Sequence, residues 1–112
     1  MDISISDFGS AAKRVTLKGK LDIAGAQKIE LPLATLAGTR SNIVIDMAGV
    51  DFIASIGIRQ LVMAAKAVAR GAGRLVLLAP TPPVADVIVT SGLLDLLPMV
   101  RTEDEARTAL AR

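Results

Sequence analysis

The sequence predicts an α/β domain built on a mixed β-sheet of four to five strands with about four α-helices. Apolar residues alternate at period two near the start of the chain, the signature of half-exposed strands. Later they run without interruption in Ile43-Val44-Ile45 and Leu75-Val76-Leu77-Leu78, as in strands covered on both faces. Between and after these runs the period changes to that of amphipathic helices, with Gly and Pro at the joints. At 112 residues the chain reads as one domain over 1–112, long enough to bury a core without disulfide or metal support.

Each element follows from local chemistry. Ile3 and Ile5 alternate with Asp2, Ser4 and Ser6, Gly9-Ser10 supplies a turn, and Val15 and Leu17 alternate with Arg14, Thr16 and Lys18, which predicts a hairpin. The second strand ends at Leu21-Asp22, and Ala24 to Ala37 reads as a helix closed by Gly38. Pro32 lies inside it, so a kink or restart is expected near Glu30–Leu31, because an interior proline costs about 3 kcal/mol in a straight helix. Asn42–Met47 reads as a central strand, followed by a short loop and a helix opening at Ser55. In that helix Ile58, Leu61, Val62, Ala65, Val68 and Ala69 line one face up to Gly71-Ala72-Gly73. Arg74–Ala79 is the next buried strand. Thr81 is placed to cap a helix with Pro82 at its first position and Val84, Val87 and Ile88 on its inner face, ending near Ser91-Gly92. A short strand near Met99–Arg101 precedes Thr102-Glu103-Asp104-Glu105, a Thr-x-x-Glu capping box that opens the closing helix.

Composition narrows the function classes. The chain has no cysteine and no histidine, which removes thiol chemistry, the commonest general base and most transition-metal sites. Hydrophobic residues make up 52% of the sequence, yet every apolar run is broken well short of the roughly 18 residues of a spanning helix. No export signal is visible at Met1-Asp2-Ile3-Ser4, so a cytoplasmic location without membrane insertion is expected. The net charge is +2, the basic residues are scattered, and Phe8 and Phe52 are the only aromatic residues, which argues against direct nucleic-acid binding. Asp46 and Asp51, five apart, suit capping or turn roles better than a metal or acid–base pair. Gly71-Ala72-Gly73 follows a helix and precedes a strand, the reverse of the order a phosphate loop requires. No cofactor, no metal and no catalytic residue is expected.

The candidate site is the corner around Ser55. A hydroxyl at a helix mouth can cap free N–H groups, and a phosphate there would meet unpaired donors and the positive end of the helix dipole. Asp22, read alone, is a helix cap. Arg59, Met63, Lys66 and Arg70 recur on the face opposite the core stripe; Met63 among those charges, with Ile56 near the helix mouth, suggests an apolar contact with a basic rim.

Four segments in fixed order carry a resemblance that runs over most of the chain. They are Gly19-Lys20-Leu21-Asp22, Ile45-Asp46 through Val50, Phe52 and Ile53, Ala54-Ser55-Ile56-Gly57, and Pro83-Val84 through Ser91-Gly92-Leu93. Together they resemble the STAS domain, the fold shared by anti-sigma factor antagonists and the cytoplasmic ends of sulphate transporters. The resemblance implies a non-enzymatic bacterial regulator of transcription that works by partner switching. Its partners would be an anti-sigma factor serine kinase, which it sequesters and which phosphorylates it, and a phosphatase, which resets it. Ser55 would be the phosphorylated residue. Asp22, Ala54, Ser55, Ile56, Gly57, Arg59, Met63 and Lys66 would form the partner-binding surface, with Asp22 at its rim. Ala54 stands where the family carries aspartate. That departure suits the alternative, an unphosphorylated structural STAS subunit of a multiprotein scaffold or of a lipid-transport ATPase complex.

Overall fold

Two strands, β1 (Asp2–Phe8) and β2 (Ala12–Leu21), form the expected hairpin, antiparallel with Ile3 opposite Leu17 and Ile5 opposite Val15. The turn between them needs a left-handed residue, and Gly9, with φ +67°, supplies it. The structure is a computed structural model that describes residues 1–39 and 41–111.

Helix α1 (Ile23–Ala37), strand β3 (Asn42–Ile53), helix α2 (Ser55–Arg70), strand β4 (Leu75–Leu78), helix α3 (Pro82–Thr90), strand β5 (Met99–Val100) and helix α4 (Glu103–Leu110) follow in order. The five strands make one sheet in the order β1-β2-β3-β4-β5, in which only the β1–β2 pair is antiparallel. Parallel neighbours require crossover helices, and these determine the layering. One face packs against α1, α2 and α3 through Ile29, Leu33, Leu61, Val68, Val84 and Ile88 over Val15, Leu17, Ile43, Ile45 and Leu77. The other face is covered by α4, where Ala106 sits with Phe8, Val44, Val76 and Leu78. The continuous apolar runs of β3 and β4 are thus buried on both sides, as their composition requires.

Charged groups tether α4 to the hairpin. Arg14 reaches Glu103 on α4 and lies 3.8 Å from Asp46, and the Arg14 and Arg107 guanidinium groups stand 5.3 and 5.4 Å from the Phe8 ring centre.

Four local expectations are corrected. The loop expected after Met47 is strand: β3 continues to Ile53 and keeps pairing with β2 by bulging twice, with one extra β3 residue between Asp46 and Gly49 opposite Thr16–Lys18 and one between Val50 and Phe52 opposite Gly19–Lys20. Helix α1 shows no restart at Pro32; it runs unbroken, its buried stripe of Ile29, Leu33 and Leu36 outweighing one missing donor. The Thr81 hydroxyl does not cap α3 but donates to the Val50 carbonyl at 2.7 Å, tying α3 to β3. Half of the α4 capping box forms as expected, Thr102 accepting from the Glu105 N–H at 3.1 Å, but the other half is displaced by one residue: the Glu105 carboxylate takes the Arg101 N–H at 2.8 Å.

Candidate functional site

β2 and β3 deliver their carboxyl ends side by side, with Leu21 opposite Ile53. Each strand then turns directly into a helix. Asp22 is the N-cap of α1, and its side chain accepts the Gly25 N–H at 2.9 Å. On the neighbouring strand the Ala54 N–H donates to the Leu21 carbonyl at 2.9 Å, which holds Ala54 extended (φ −92°, ψ 167°) and makes it the N-cap of α2. Ser55 is therefore the first residue of the helix rather than its cap, a correction of one position with a chemical consequence. Ala54 offers no side-chain acceptor, so the first turn of α2 has no side-chain cap, and the Ser55 hydroxyl is exposed beside it.

Two glycines bring both helix mouths down onto the strand ends. A Cβ on Gly25 would lie 2.3 Å from the Lys20 carbonyl oxygen, and one on Gly57 would lie 2.7 Å from the Leu21 Cγ and 2.8 Å from its carbonyl oxygen. Gly57 is buried while Ser55, two residues earlier, is exposed. The small residue seats the helix, and the serine is displayed by that seating.

The structure brings the sequence-derived residues together on the adjacent mouths of α1 and α2 and along α2. Asp22, Ala54 and Ile56 are half-buried there, Gly57 lies beneath, and Arg59, Met63 and Lys66 are exposed down the helix. It adds apolar residues that sequence patterning passed over. Ile23, the first residue of α1, is 63% exposed; Leu31, off the α1 core stripe, is 74% exposed; and Phe52, at the end of β3, is 48% exposed. Their signal was present in Leu31, which stands outside the helical apolar period, but Phe52 and Ile23 reveal themselves only once the strand end and cap are located. Between α1 and α2 a groove of about 280 Å³ is lined by Leu33, Ala34, Met63, Ala64 and Ala67, and Gln60 donates to Glu30 across it at 3.2 Å.

Asp46 and Asp51 are not brought into a shared site. Asp46 accepts the Ala48 N–H at 3.1 Å and faces Arg14, whereas Asp51 is exposed near the end of β3. Among the described residues, no group of three or more His, Cys, Asp or Glu side chains is placed to hold a metal ion. Among the same residues, no helix is long and apolar enough to cross a membrane.

A corner of this kind can present a hydroxyl to a partner's phosphoryl donor and hold the resulting anion against open amides. A family model described as the STAS domain matches residues 10–106. A protein of Bordetella bronchiseptica named as a candidate anti-sigma factor antagonist, BtrV, is 33% identical over 102 residues, covering 86% of this chain and 87% of its own. An anti-sigma factor antagonist from Mycobacterium paratuberculosis superimposes with a TM-score of 0.87 at 22% identity, over 99% of this chain and 94% of the other. The antagonist SpoIIAA in its unphosphorylated form gives 0.79 at 23% identity, over 98% and 96% of the two chains. Bacillus SpoIIAA in its phosphorylated form gives 0.74 at 23% identity, over 99% and 100%.

Proposed function

The chain belongs to the STAS domain family, and from that premise we propose that it is an anti-sigma factor antagonist, a binding module switched at Ser55. Unphosphorylated, it sequesters an anti-sigma factor serine kinase through the mouths of α1 and α2. The kinase phosphorylates Ser55 and is released, and a phosphatase resets the cycle. In this reading the chain is a substrate and not a catalyst.

The observation that carries the reading is the exposed Ser55 hydroxyl on the first residue of a helix whose first turn lacks a side-chain cap. A phosphate there is tolerated internally, because it meets open N–H donors and the positive helix end. Externally it adds about −1.5 to −2 charges to a contact surface. Weakening a partner 100-fold requires about 2.7 kcal/mol, within reach of a charge pressed against a desolvated interface. Incubation with the cognate anti-sigma factor kinase and ATP, followed by peptide mass mapping, tests it. Phosphate on Ser55 together with loss of kinase binding is the expected result; an unmodified Ser55 refutes the switch.

Ala54 at the N-cap supports a second reading. A STAS subunit that is never modified, held in a scaffold or a lipid-transport ATPase complex, has no use for a carboxylate beside an acceptor serine. Stable co-purification with an ATPase or a permease, with Ser55 unmodified, would establish that reading in place of the first.

A further inference from the structure

We propose that the outward face of α2, with the groove beside it, selects a protein partner whose docking surface is acidic around a projecting apolar side chain. This rests on the partner-binding reading above and adds to it the chemistry of the partner.

Charge segregation carries the inference. The whole chain is nearly balanced, at +2. Helix α2, however, contains no Asp or Glu, and its exposed face carries Arg59, Lys66 and Arg70. The carboxylate lining the adjoining groove, Glu30, accepts a hydrogen bond from the neutral Gln60 at 3.2 Å and sets one negative charge against the three cations of α2, which leaves the face net positive. Acidic residues gather instead at the start of α4, where Glu103, Asp104 and Glu105 lie across the sheet from α2. A field of one sign on one face steers and selects a partner of the opposite sign.

The apolar component is equally local. Met63, 54% exposed, stands among the three cations and forms one wall of the groove, which Leu33, Ala34, Ala64 and Ala67 complete. Its volume of about 280 Å³ has room for one large apolar side chain. A flexible thioether at the lip of such a groove adapts to what enters it. Leu31, 74% exposed on α1, extends the apolar surface beyond the groove. An apolar anchor ringed by charge is the arrangement of a protein docking surface, in which the anchor supplies affinity and the charges supply choice of partner.

The test measures binding of the purified cognate anti-sigma factor kinase to the full chain by titration calorimetry at about 50 mM and about 0.5 M salt, a range over which surface charges go from weakly to strongly screened. Arg59→Glu with Lys66→Glu should weaken binding about 10-fold or more at low salt and by much less at high salt. Met63→Ala should weaken it several-fold at both salts. Lys28→Glu, on a residue roughly 200° around α1 from Glu30, should leave binding within about 2-fold. All four positions are exposed, so folding is retained. Kinase binding that ignores both salt and the double reversal overturns the acidic-partner inference and leaves the switch at Ser55 standing. A parent chain that neither binds the kinase nor is phosphorylated by it overturns both. Binding to phosphatidylserine vesicles that the double reversal abolishes, with kinase binding unaffected, would assign the face to a lipid surface and also overturn the inference.

Discussion

Ala54→Asp should make this protein more stable, although it adds a charge and no packing. Ala54 has the extended backbone that an N-cap adopts (φ −92°, ψ 167°), fixed by the bond from its N–H to the Leu21 carbonyl, and it provides no side-chain acceptor. An aspartate in that geometry accepts a first-turn N–H, as Asp22 does at the start of α1. A cap is worth about 1 kcal/mol, and a negative charge at a helix N-terminus adds about 0.3–1 kcal/mol. The sum, about 1–2 kcal/mol, raises the melting temperature of a domain this size by about 4 °C or more. Thermal melts followed by circular dichroism, in parallel with Ala54→Ser, separate the two contributions, since serine caps without charge. Both variants should melt higher than the parent, and aspartate highest. If neither does, the first-turn amides of α2 are not open to a cap, and the tolerance for a phosphate on Ser55 loses its physical basis.

Three further outcomes follow from single positions. Gly57→Ala should cost about 1–3 kcal/mol in urea unfolding, because its Cβ would press to 2.7 Å from the Leu21 Cγ and 2.8 Å from the Leu21 backbone oxygen; a neutral result would mean that α2 does not sit on β2 as described. Ala72→Gly should raise the unfolding free energy by about 0.5 kcal/mol, and with it the urea midpoint slightly at unchanged slope, since Ala72 holds φ +63° after α2 and glycine adopts that region without steric cost; a lower midpoint would contradict the left-handed assignment. The hydrogen bond from Lys13 at 2.6 Å, and then its charge, hold the Asp7 carboxyl below the ordinary aspartate range. A depressed folded-state pKa favours the folded state above the unfolded-state pKa, and that preference disappears as the pH falls through the folded one. NMR titration should find Asp7 shifted down in the parent and returned toward the unfolded-chain value in Lys13→Met; an unshifted parent would show the pair to be unformed.

The sequence by itself determined the elements whose cause is local. Period-two alternation located the hairpin, continuous apolar runs located the buried parts of β3 and β4, and Asp22 and Thr102 announced the caps they form. It also showed that Ser55 belongs to a helix mouth, because Ile58, Leu61, Ala65 and Val68 begin their period just beyond it. Only the tertiary structure decided what depends on partners distant in sequence. Residues 48–53 are strand because β2, some thirty residues earlier, supplies their hydrogen-bond partners while β3 bulges to stay in register with it. Thr81 turns from its own helix to the Val50 carbonyl, which no window around Thr81 contains. The helix starts at Ser55, one residue earlier than a serine cap would place it, and the cap position falls to Ala54, whose N–H is held by the Leu21 carbonyl. Propensity and periodicity act over a turn or two of chain, whereas hydrogen bonds between strands and the close approach of Gly57 to Leu21 are set by the sheet as a whole. The hydroxyl was legible, as was Leu31 off the helical apolar period; the seat of the hydroxyl, and the exposed Ile23 and Phe52, belong to the fold.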